Sequence, residues 1–318
     1  MAKRLILLSA LLLVACAIYI GLGAEGAWRF LLPYRATKLA SMLLVGIGLS
    51  VATVLFQTIT ANRILTPSVM GFDALYVMVL TVLVHVLGGV GYASLPAALL
   101  FAMNVAGMTV LGMLLFGLLQ KGARGDIMRL VLTGLILGIL LRSVTEFLQR
   151  MIDPAEFQMV QSVSFARFTQ VEPSLLALSA LVTLPALALA WGMRNRLDVL
   201  GLGDATATGL GENPKSGQAQ ALVLICILVA ASTALVGPMS GGGGSFFGLI
   251  VTALAHVITP SERHRILLPS AALTGCIILV GGQTVMERLL DLTTPLTVVI
   301  ELIGGILFLV LLVKRKRA

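Results

Sequence analysis

Long apolar blocks alternate with short polar segments along the whole chain. A helix that crosses the hydrocarbon core of a membrane needs about 20 predominantly apolar residues, and most of the blocks approach that length. The eighth block is shorter, so we expect a partial or tilted helix there. The pattern predicts an all-α integral membrane protein with about ten transmembrane helices in a single polytopic domain over residues 1–318. The blocks are residues 5–22, 39–60, 74–89, 95–119, 127–148, 175–191, 219–236, 246–257, 266–285 and 296–313.

A polar segment, residues 194–218, separates the sixth block from the seventh. Within it Asp204 can cap a helix of little more than one turn, and Gly209 and Gly211 can end that helix. Such a helix exposes little side-chain bulk, so we expect a docking surface for a soluble partner; a solvated connector is the alternative. The residues selected for this surface are Leu202, Gly203, Asp204, Ala207, Leu210 and Gly211.

Composition supports a membrane setting, because 58% of the residues are hydrophobic, only 11% are charged, and the mean hydropathy is +1.04. Soluble domains carry about 25% charged residues. Lys and Arg concentrate in cytoplasmic loops, and with the amino terminus inside, fifteen of the 22 basic residues fall on the cytoplasmic side. Both termini and the segment 194–218 are therefore predicted to be cytoplasmic. The net charge of +8 is mostly this topology signal, and we expect no nucleic-acid partner.

The sequence lacks the residue patterns of an enzyme or a metal site. No glycine-rich phosphate loop ending in Lys and a hydroxyl residue occurs, so we expect that the chain does not itself hydrolyse ATP. The histidines His85, His256 and His264 have no companions at metal-ligand spacing. We therefore select no catalytic residue, no metal ligand and no cofactor.

Ionisable residues that fall within apolar blocks often mark an ion or substrate path, and three of them are considered for such a role. Arg142 and Glu146 are four residues apart in the fifth block and could pair on one helix face. Glu301 stands alone near the start of the tenth block. A structural or entrance-lining role for Glu301 is favoured over a proton relay, because no further carboxylates continue inward. A secondary transporter driven by an ion gradient through these residues is the competing hypothesis.

Several short motifs follow one another along the chain. They are Arg35-Ala-Thr-Lys38, Phe56-Gln57, Asn62-Arg-Ile-Leu-Thr-Pro67, Leu202-Gly-Asp204 with Leu210-Gly211, Gly237-Pro-Met239, Phe247-Gly-Leu249 and Glu287-Arg288. In this order they resemble the FecCD-type permeases, which are membrane subunits of binding-protein-dependent ABC importers for iron-siderophores, haem and vitamin B12. Thr37 and Lys38 depart from the Pro and Arg of the family's first motif. The Asn62 motif, with Pro154 and Glu156, resembles the subgroup that serves catecholate and mixed-ligand siderophores.

The resemblance implies a permease subunit that moves a ferric siderophore across the bacterial inner (cytoplasmic) membrane. Haem or vitamin B12 is the alternative cargo. It also implies two copies of an ABC ATPase subunit, a second permease subunit that is identical or paralogous, and a periplasmic or lipid-anchored siderophore-binding protein. By the same resemblance, the residues selected in 194–218 couple the permease to the ATPase. Arg35, Lys38 and Arg288 match positions that dock the binding protein, and we select Gln57, Asn62 and Glu301 as candidates for the translocation path.

One segment departs from the family pattern. Ser240 is followed by Gly241-Gly-Gly-Gly-Ser245, whereas the family runs without interruption from its Gly-Pro motif to Phe and Gly-Leu. The same composition is used in flexible engineered linkers. We hypothesise that residues 241–245 are an insertion, engineered or otherwise, at the outer end between the seventh and eighth spans.

Overall fold

The computed structural model of the protein describes residues 1–23, 28–123, 127–240, 245–290 and 296–315. These residues form helices and loops with no strand among them, which confirms the all-α fold. The helices are α1 Ala2–Gly21, α2 Trp28–Ile59, α3 Phe72–Ser94, α4 Ala97–Ala123, α5 Ile127–Gln149, α6 Pro154–Val163, α7 Pro173–Gly192, α8 Arg194–Leu200, α9 Asp204–Gly209, α10 Pro214–Val236, α11 Phe247–Ile258, α12 His264–Thr284 and α13 Leu296–Arg315. A 3-10 turn at Phe168–Gln170 precedes α7, and a π turn at Val285–Leu289 continues α12.

Eight of the described helices are long and apolar enough to cross a membrane, namely α1, α2, α3, α4, α5, α7, α10 and α12. Two shorter apolar helices, α11 with 12 residues and Leu296–Ile306 of α13, correspond to the eighth and tenth predicted blocks. The described residues therefore contain eight long candidate spans and two shorter apolar helices, and α11 agrees with the partial or tilted helix expected for the eighth block.

The second span begins at Trp28, well before the predicted residue 39. Arg35 and Lys38 lie in this added stretch. Hydropathy alone predicts that a span ends at charged residues such as these. Both side chains are buried, with 3% relative exposure each, and both have polar partners in the protein. Because these partners satisfy the charges, the helix continues through the two residues.

The centre of the bundle is formed by α2 and α10, which pack against each other, and by α12, which packs on α2. Small residues set the spacing of these helices. A Cβ atom at Gly46 of α2 would lie 3.2 Å from the backbone nitrogen of Cys276 in α12, and one at Gly48 would lie 2.8 Å from the Ser232 hydroxyl oxygen in α10. Close backbone approach of this kind replaces the hydrophobic driving force that membrane helices lack.

Contacts between distant residues identify the two ends of the bundle. At one end, Arg4 donates to the Ile258 carbonyl oxygen at 2.7 Å, and Arg63 pairs with Glu262 at 2.6 Å. The segment 194–213 lies at this same end, because Asp198 binds His264 of the 259–264 loop region. At the opposite end, Tyr34 donates to the Thr169 carbonyl oxygen. The start of α1 and the polar segment therefore share one end, as the distribution of Lys and Arg predicts for the cytoplasmic side.

Candidate functional site

The polar segment folds into two short helices, α8 and α9, joined by a turn. Gly203 has φ +91, in the left-handed region that favours glycine, and it occupies the N-cap position of α9. The sequence analysis gave that position to Asp204, which is instead the first helical residue. The Asp204 carboxylate accepts a hydrogen bond from Gln218 Nε2 at 2.9 Å, so this side chain joins α9 to the start of α10.

The two faces of this segment differ sharply in exposure. Leu202 and Leu210, on either side of α9, are 59% and 63% exposed, whereas Ala207 is fully buried. Ala207 therefore cannot contact a partner, in contrast to our expectation for it, and instead packs α9 onto the bundle. We define the exposed face of α9, with Leu202 and Leu210, as the coupling surface.

Arg196 holds the coupling surface against α10. Its Nε and Nη2 atoms donate to Glu212 Oε1 at 3.0 and 2.5 Å, and its Nη1 atom donates to Gln220 Oε1 at 2.6 Å. The guanidinium hydrogen bond holds the pKa of the Glu212 carboxyl below its usual range. The turn after α9 is thereby fixed by two charge-assisted hydrogen bonds to one carboxylate oxygen, which orient it more strongly than a single contact would.

A second group of polar contacts joins the polar segment 194–218 to the spans. Asp198 of α8 accepts hydrogen bonds from the backbone N–H and the Nδ1 atom of His264, each at 2.7 Å. The Nε2 atom of His264 lies 2.7 Å from the Thr58 hydroxyl oxygen at the end of α2. His264 is 4% exposed. These contacts therefore connect α8 to α12 and to the end of α2.

At the opposite end of the bundle, the residues selected for docking are held inside the protein. Arg35 donates to the carbonyl oxygens of Ile20, Leu22 and Gly23 at 2.6, 2.9 and 3.0 Å, which caps the end of α1. Lys38 forms an ion pair with Glu287. The expectation that Arg35 and Lys38 present their charges to a docked protein is therefore wrong for this conformation. Arg288 is partly exposed.

The three candidates for the translocation path lie in different environments. Gln57 is buried, and its Nε2 atom donates to the Arg63 carbonyl oxygen at 2.6 Å and to the Thr252 hydroxyl oxygen at 3.0 Å, which joins α2 to α11. Asn62 accepts from the backbone N–H of Ile64 in a tight turn. These two contacts give both residues structural roles. Glu301 is half-buried and interacts electrostatically with Asp73.

Asp73 is a residue that the sequence analysis did not select. It is 2% exposed and lies at the start of α3. Its Oδ1 atom accepts from the Ser68 hydroxyl at 3.2 Å, and its Oδ2 atom accepts from the Ser240 hydroxyl at 2.6 Å. The only sequence signal was its place six residues after the Asn62-Arg-Ile-Leu-Thr-Pro67 motif. Asp73 therefore joins the two loops, before α3 and before α11, that enter the interior of the bundle.

The predicted insertion adjoins this carboxylate. Residues 241–244 lie outside the described part of the chain, but Ser240 and Ser245 are buried, with 0% and 1% exposure. The Ser245 hydroxyl accepts from the backbone N–H of Phe247, the first residue of α11. Both serines of this junction therefore lie within the protein, and its place at the outer end between the seventh and eighth spans stays a prediction. Irregular backbone is tolerated at this depth when protein surrounds it.

Arg142 and Glu146 share a polar cavity of about 160 Å³ between α3, α5 and the end of α6. The predicted ion pair between them is absent among the described residues. Arg142 instead interacts electrostatically with Asp73. Arg142 of α5 and Asp73 of α3 therefore lie near each other in the fold, although 69 residues separate them in the sequence.

Buried central helices, two loops that enter the bundle and a folded polar segment at one end together define a multi-pass membrane permease. The sequence pattern of the FecCD transport family matches residues 5–314, and the chain belongs to this family. This confirms the resemblance drawn from the motifs. The chain is thus a permease subunit of an ABC importer, a class that works with an ATPase and a substrate-binding protein.

Comparison with known proteins supports this assignment. The chain is 36% identical over 293 residues to the petrobactin import system permease protein YclO of Bacillus subtilis (strain 168), which covers 92% of this chain and 91% of that protein. It is 31% identical over 284 residues to the petrobactin import system permease protein FatC of Bacillus anthracis, and the match covers 89% of this chain and 78% of that protein. A solved inward-facing structure of an ABC transporter assigned to the metal-chelate type shares the fold, with a TM-score of 0.81, 23% identity and coverage of 98% and 99%.

Proposed function

We propose that this chain moves a ferric siderophore across the cytoplasmic membrane and that ferric petrobactin is the first substrate to test. The observation that carries the proposal is the 36% identity, over 92% of the chain, to a petrobactin import system permease protein. A ferric siderophore is large and polar, so its route requires a wide cavity between two permease subunits. We take the second subunit to be a paralogue, and an identical copy is the alternative.

Uptake of radioactive iron tests this proposal. The chain would be produced with its partner permease, ATPase and binding protein in cells that lack siderophore permeases, and ferric petrobactin would be compared with other ferric siderophores, haem and cobalamin. We expect uptake of ferric petrobactin that stops when the ATPase is inactivated. Uptake of haem or cobalamin alone would reject the siderophore assignment. Uptake that survives loss of the ATPase but not collapse of the ion gradients would favour a secondary transporter.

We propose that the coupling surface contacts the ATPase. The ATPase is a pair of partner subunits that hydrolyses ATP. Two exposed leucines that flank the short helix α9 present an apolar surface of the kind that a cleft in a soluble protein buries. The links from α8 to α12 and α2 would carry closure of the ATPase pair into the spans. Gly203 and Gly211 adopt positive φ on either side of α9 and shape this surface.

Substitution of Leu210 separates this role from a role in folding. We expect Leu210→Asp to reduce co-purification of the ATPase by at least tenfold, because an acidic group would be buried in the contact, while the Tm of the permease stays unchanged. Ala207→Trp should lower both the co-purification of the ATPase and the Tm of the permease, since the buried site has no room for an indole. Met151→Asp is the matched control, because Met151 is similarly exposed (59%) at the opposite end of the bundle. Normal ATPase binding by Leu210→Asp would reject the coupling surface.

A further inference from the structure

The cavity beside Arg142 is more polar than its position in a membrane bundle requires. Its walls comprise Ala74 and Val77 of α3, then Arg142, Thr145, Glu146 and Gln149 of α5, with Gln161 and Ser164 from α6 and its C-terminal cap. The cavity lies toward the outer end, because Phe165 beside Ser164 packs against Gly237 at the end of α10. Polar residues that face lipid are costly, so a polar wall at this depth indicates a function.

The guanidinium of Arg142 carries a buried donor in this wall, its Nε–H group, that has no hydrogen-bond partner among the described residues. Arginine carries five N–H donors and no acceptor, and a buried donor without a partner costs free energy. Its Nη2 atom would lie 3.7 Å from a Cβ atom placed on Gly138, so the side chain extends back along α5 toward the start of α3. Asp73 interacts with it electrostatically but already accepts from Ser68 and Ser240.

Two amide side chains in the cavity can assist binding of an oxyanion. Gln161 is exposed to the cavity with no hydrogen bond from its side-chain amide among the described residues, and Gln149 makes only a long contact of 3.4 Å to Thr81. The Thr145 and Ser164 hydroxyls donate to backbone carbonyl oxygens of their own helices, so they can only accept hydrogen bonds from a ligand. The cavity thus offers one fixed cation and two amides for an oxyanion, and Glu146 with the two hydroxyls as acceptors for donor groups of the same ligand.

We infer that this cavity is an oxyanion subsite on the outer half of the translocation route, where Arg142 binds a carboxylate or phenolate oxygen carried by the metal chelate. The inference rests on the proposed function. The volume of about 160 Å³ admits one arm of such a molecule and not the whole of it, since sites for complete ligands measure about 300 Å³ or more. Glu146 would accept from a hydroxyl or N–H group one helical turn away.

Equilibrium binding tests this subsite independently of transport. The assembled importer would be placed in phosphatidylcholine nanodiscs, and binding of radioactive iron as ferric petrobactin and as ferric dicitrate would be measured. We expect Arg142→Gln to weaken binding of the chelate by about tenfold, the usual loss for a hydrogen bond to a charged group. Arg142→Lys should recover part of the affinity, and Gln161→Leu, which disturbs no described hydrogen bond, should weaken binding about threefold. Arg150→Gln is the control, because Arg150 is exposed just beyond the end of α5 and does not line the cavity.

The outcomes separate the two proposals. Unchanged affinity in both Arg142→Gln and Gln161→Leu, or no binding of either chelate by the unaltered importer, would overturn the subsite. If the unaltered importer lost affinity for the chelate only when anionic lipid was added, the site would be assigned to a lipid phosphate. This outcome would also overturn the subsite. Failure of uptake for every siderophore, measured in the same preparation, would reject the proposed function, while the binding result would still decide the role of Arg142.

Discussion

Arg35 donates to three carbonyl oxygens that the last turn of α1 leaves without helical partners. Its place in the first family motif suggests a surface charge for a docked protein, but its side chain is almost fully buried. The same motif ends in Lys38, whose charge is neutralised by Glu287. Arg288 follows Glu287 directly and stays partly exposed. Docking of the binding protein is therefore proposed for Arg288, and stabilisation of the outer helix ends for Arg35 and Lys38.

Substitutions at Arg35 and at Arg288 should affect different properties of the protein. Arg35→Gln leaves buried carbonyl oxygens unpaired, at a cost of about 1–3 kcal/mol, and should lower the Tm by several degrees. Arg288→Gln should leave the Tm nearly unchanged and reduce stimulation of ATPase activity by the binding protein, most clearly at low salt. Thermal unfolding in detergent and ATPase assays with the binding protein measure the two effects. An unchanged Tm for Arg35→Gln would contradict the capping role.

Among the elements, the pair α8 and α9 depends most on side-chain contacts for its structure. Seven- and six-residue helices are too short to be stable alone. Buried Leu197, Leu200 and Ala207 pack the pair onto the bundle, and a Cβ atom at Gly217 would lie 2.8 Å from Leu200, so α10 meets it closely. The Arg196–Glu212 pair then fixes the turn after α9. These contacts hold the coupling surface in place before an ATPase binds.

Acid should loosen this element through Glu212. The pKa of Glu212 is lower in the folded protein than in an unfolded chain, so its stabilising effect is complete above the ordinary carboxyl pKa of about 4.3 and is lost as the pH falls through the lowered folded value. We expect the hydrogen-exchange protection of α9, corrected for intrinsic rates, to be constant from neutral pH to about pH 5 and to fall below about pH 4. Glu212→Gln should show weaker protection with no such step. A step of equal size in Glu212→Gln would show that another group titrates.

For the whole molecule, Asp73 connects the two loops that enter the bundle. The hydrogen bond from Ser240 spans 167 residues of sequence, and Ser68 adds a local donor before α3. Residues 241–244 separate two buried serines in the sequence at this point. Ser240 binds Asp73, while Ser245 accepts from the first backbone N–H of α11.

Deletion of residues 241–245 tests whether this junction tolerates extra length. Glycine has the largest backbone ordering cost, so removing four glycines should reduce the entropy lost on folding. We expect the deletion to raise the Tm by a few degrees and to increase the uptake rate, because the loop would hold α11 more closely against Asp73.

The measurements are thermal unfolding and iron uptake, with a variant that replaces residues 241–245 by five other linker residues as the length-matched control. Equal Tm and uptake in the deletion and the control would show that the junction accommodates the added residues without cost.

The sequence by itself determined the membrane class, the approximate spans, the shared end of the amino terminus and the polar segment, and the family. These depend on local hydropathy, on Lys and Arg counts and on the order of short motifs, all of which can be read along one chain. Only the tertiary structure decided that Arg35, Lys38 and Ala207 are buried, that Asp73 joins two loops, and that Arg142 faces a polar cavity. Each of these features depends on a partner from a distant helix, and hydropathy does not indicate which helices contact one another.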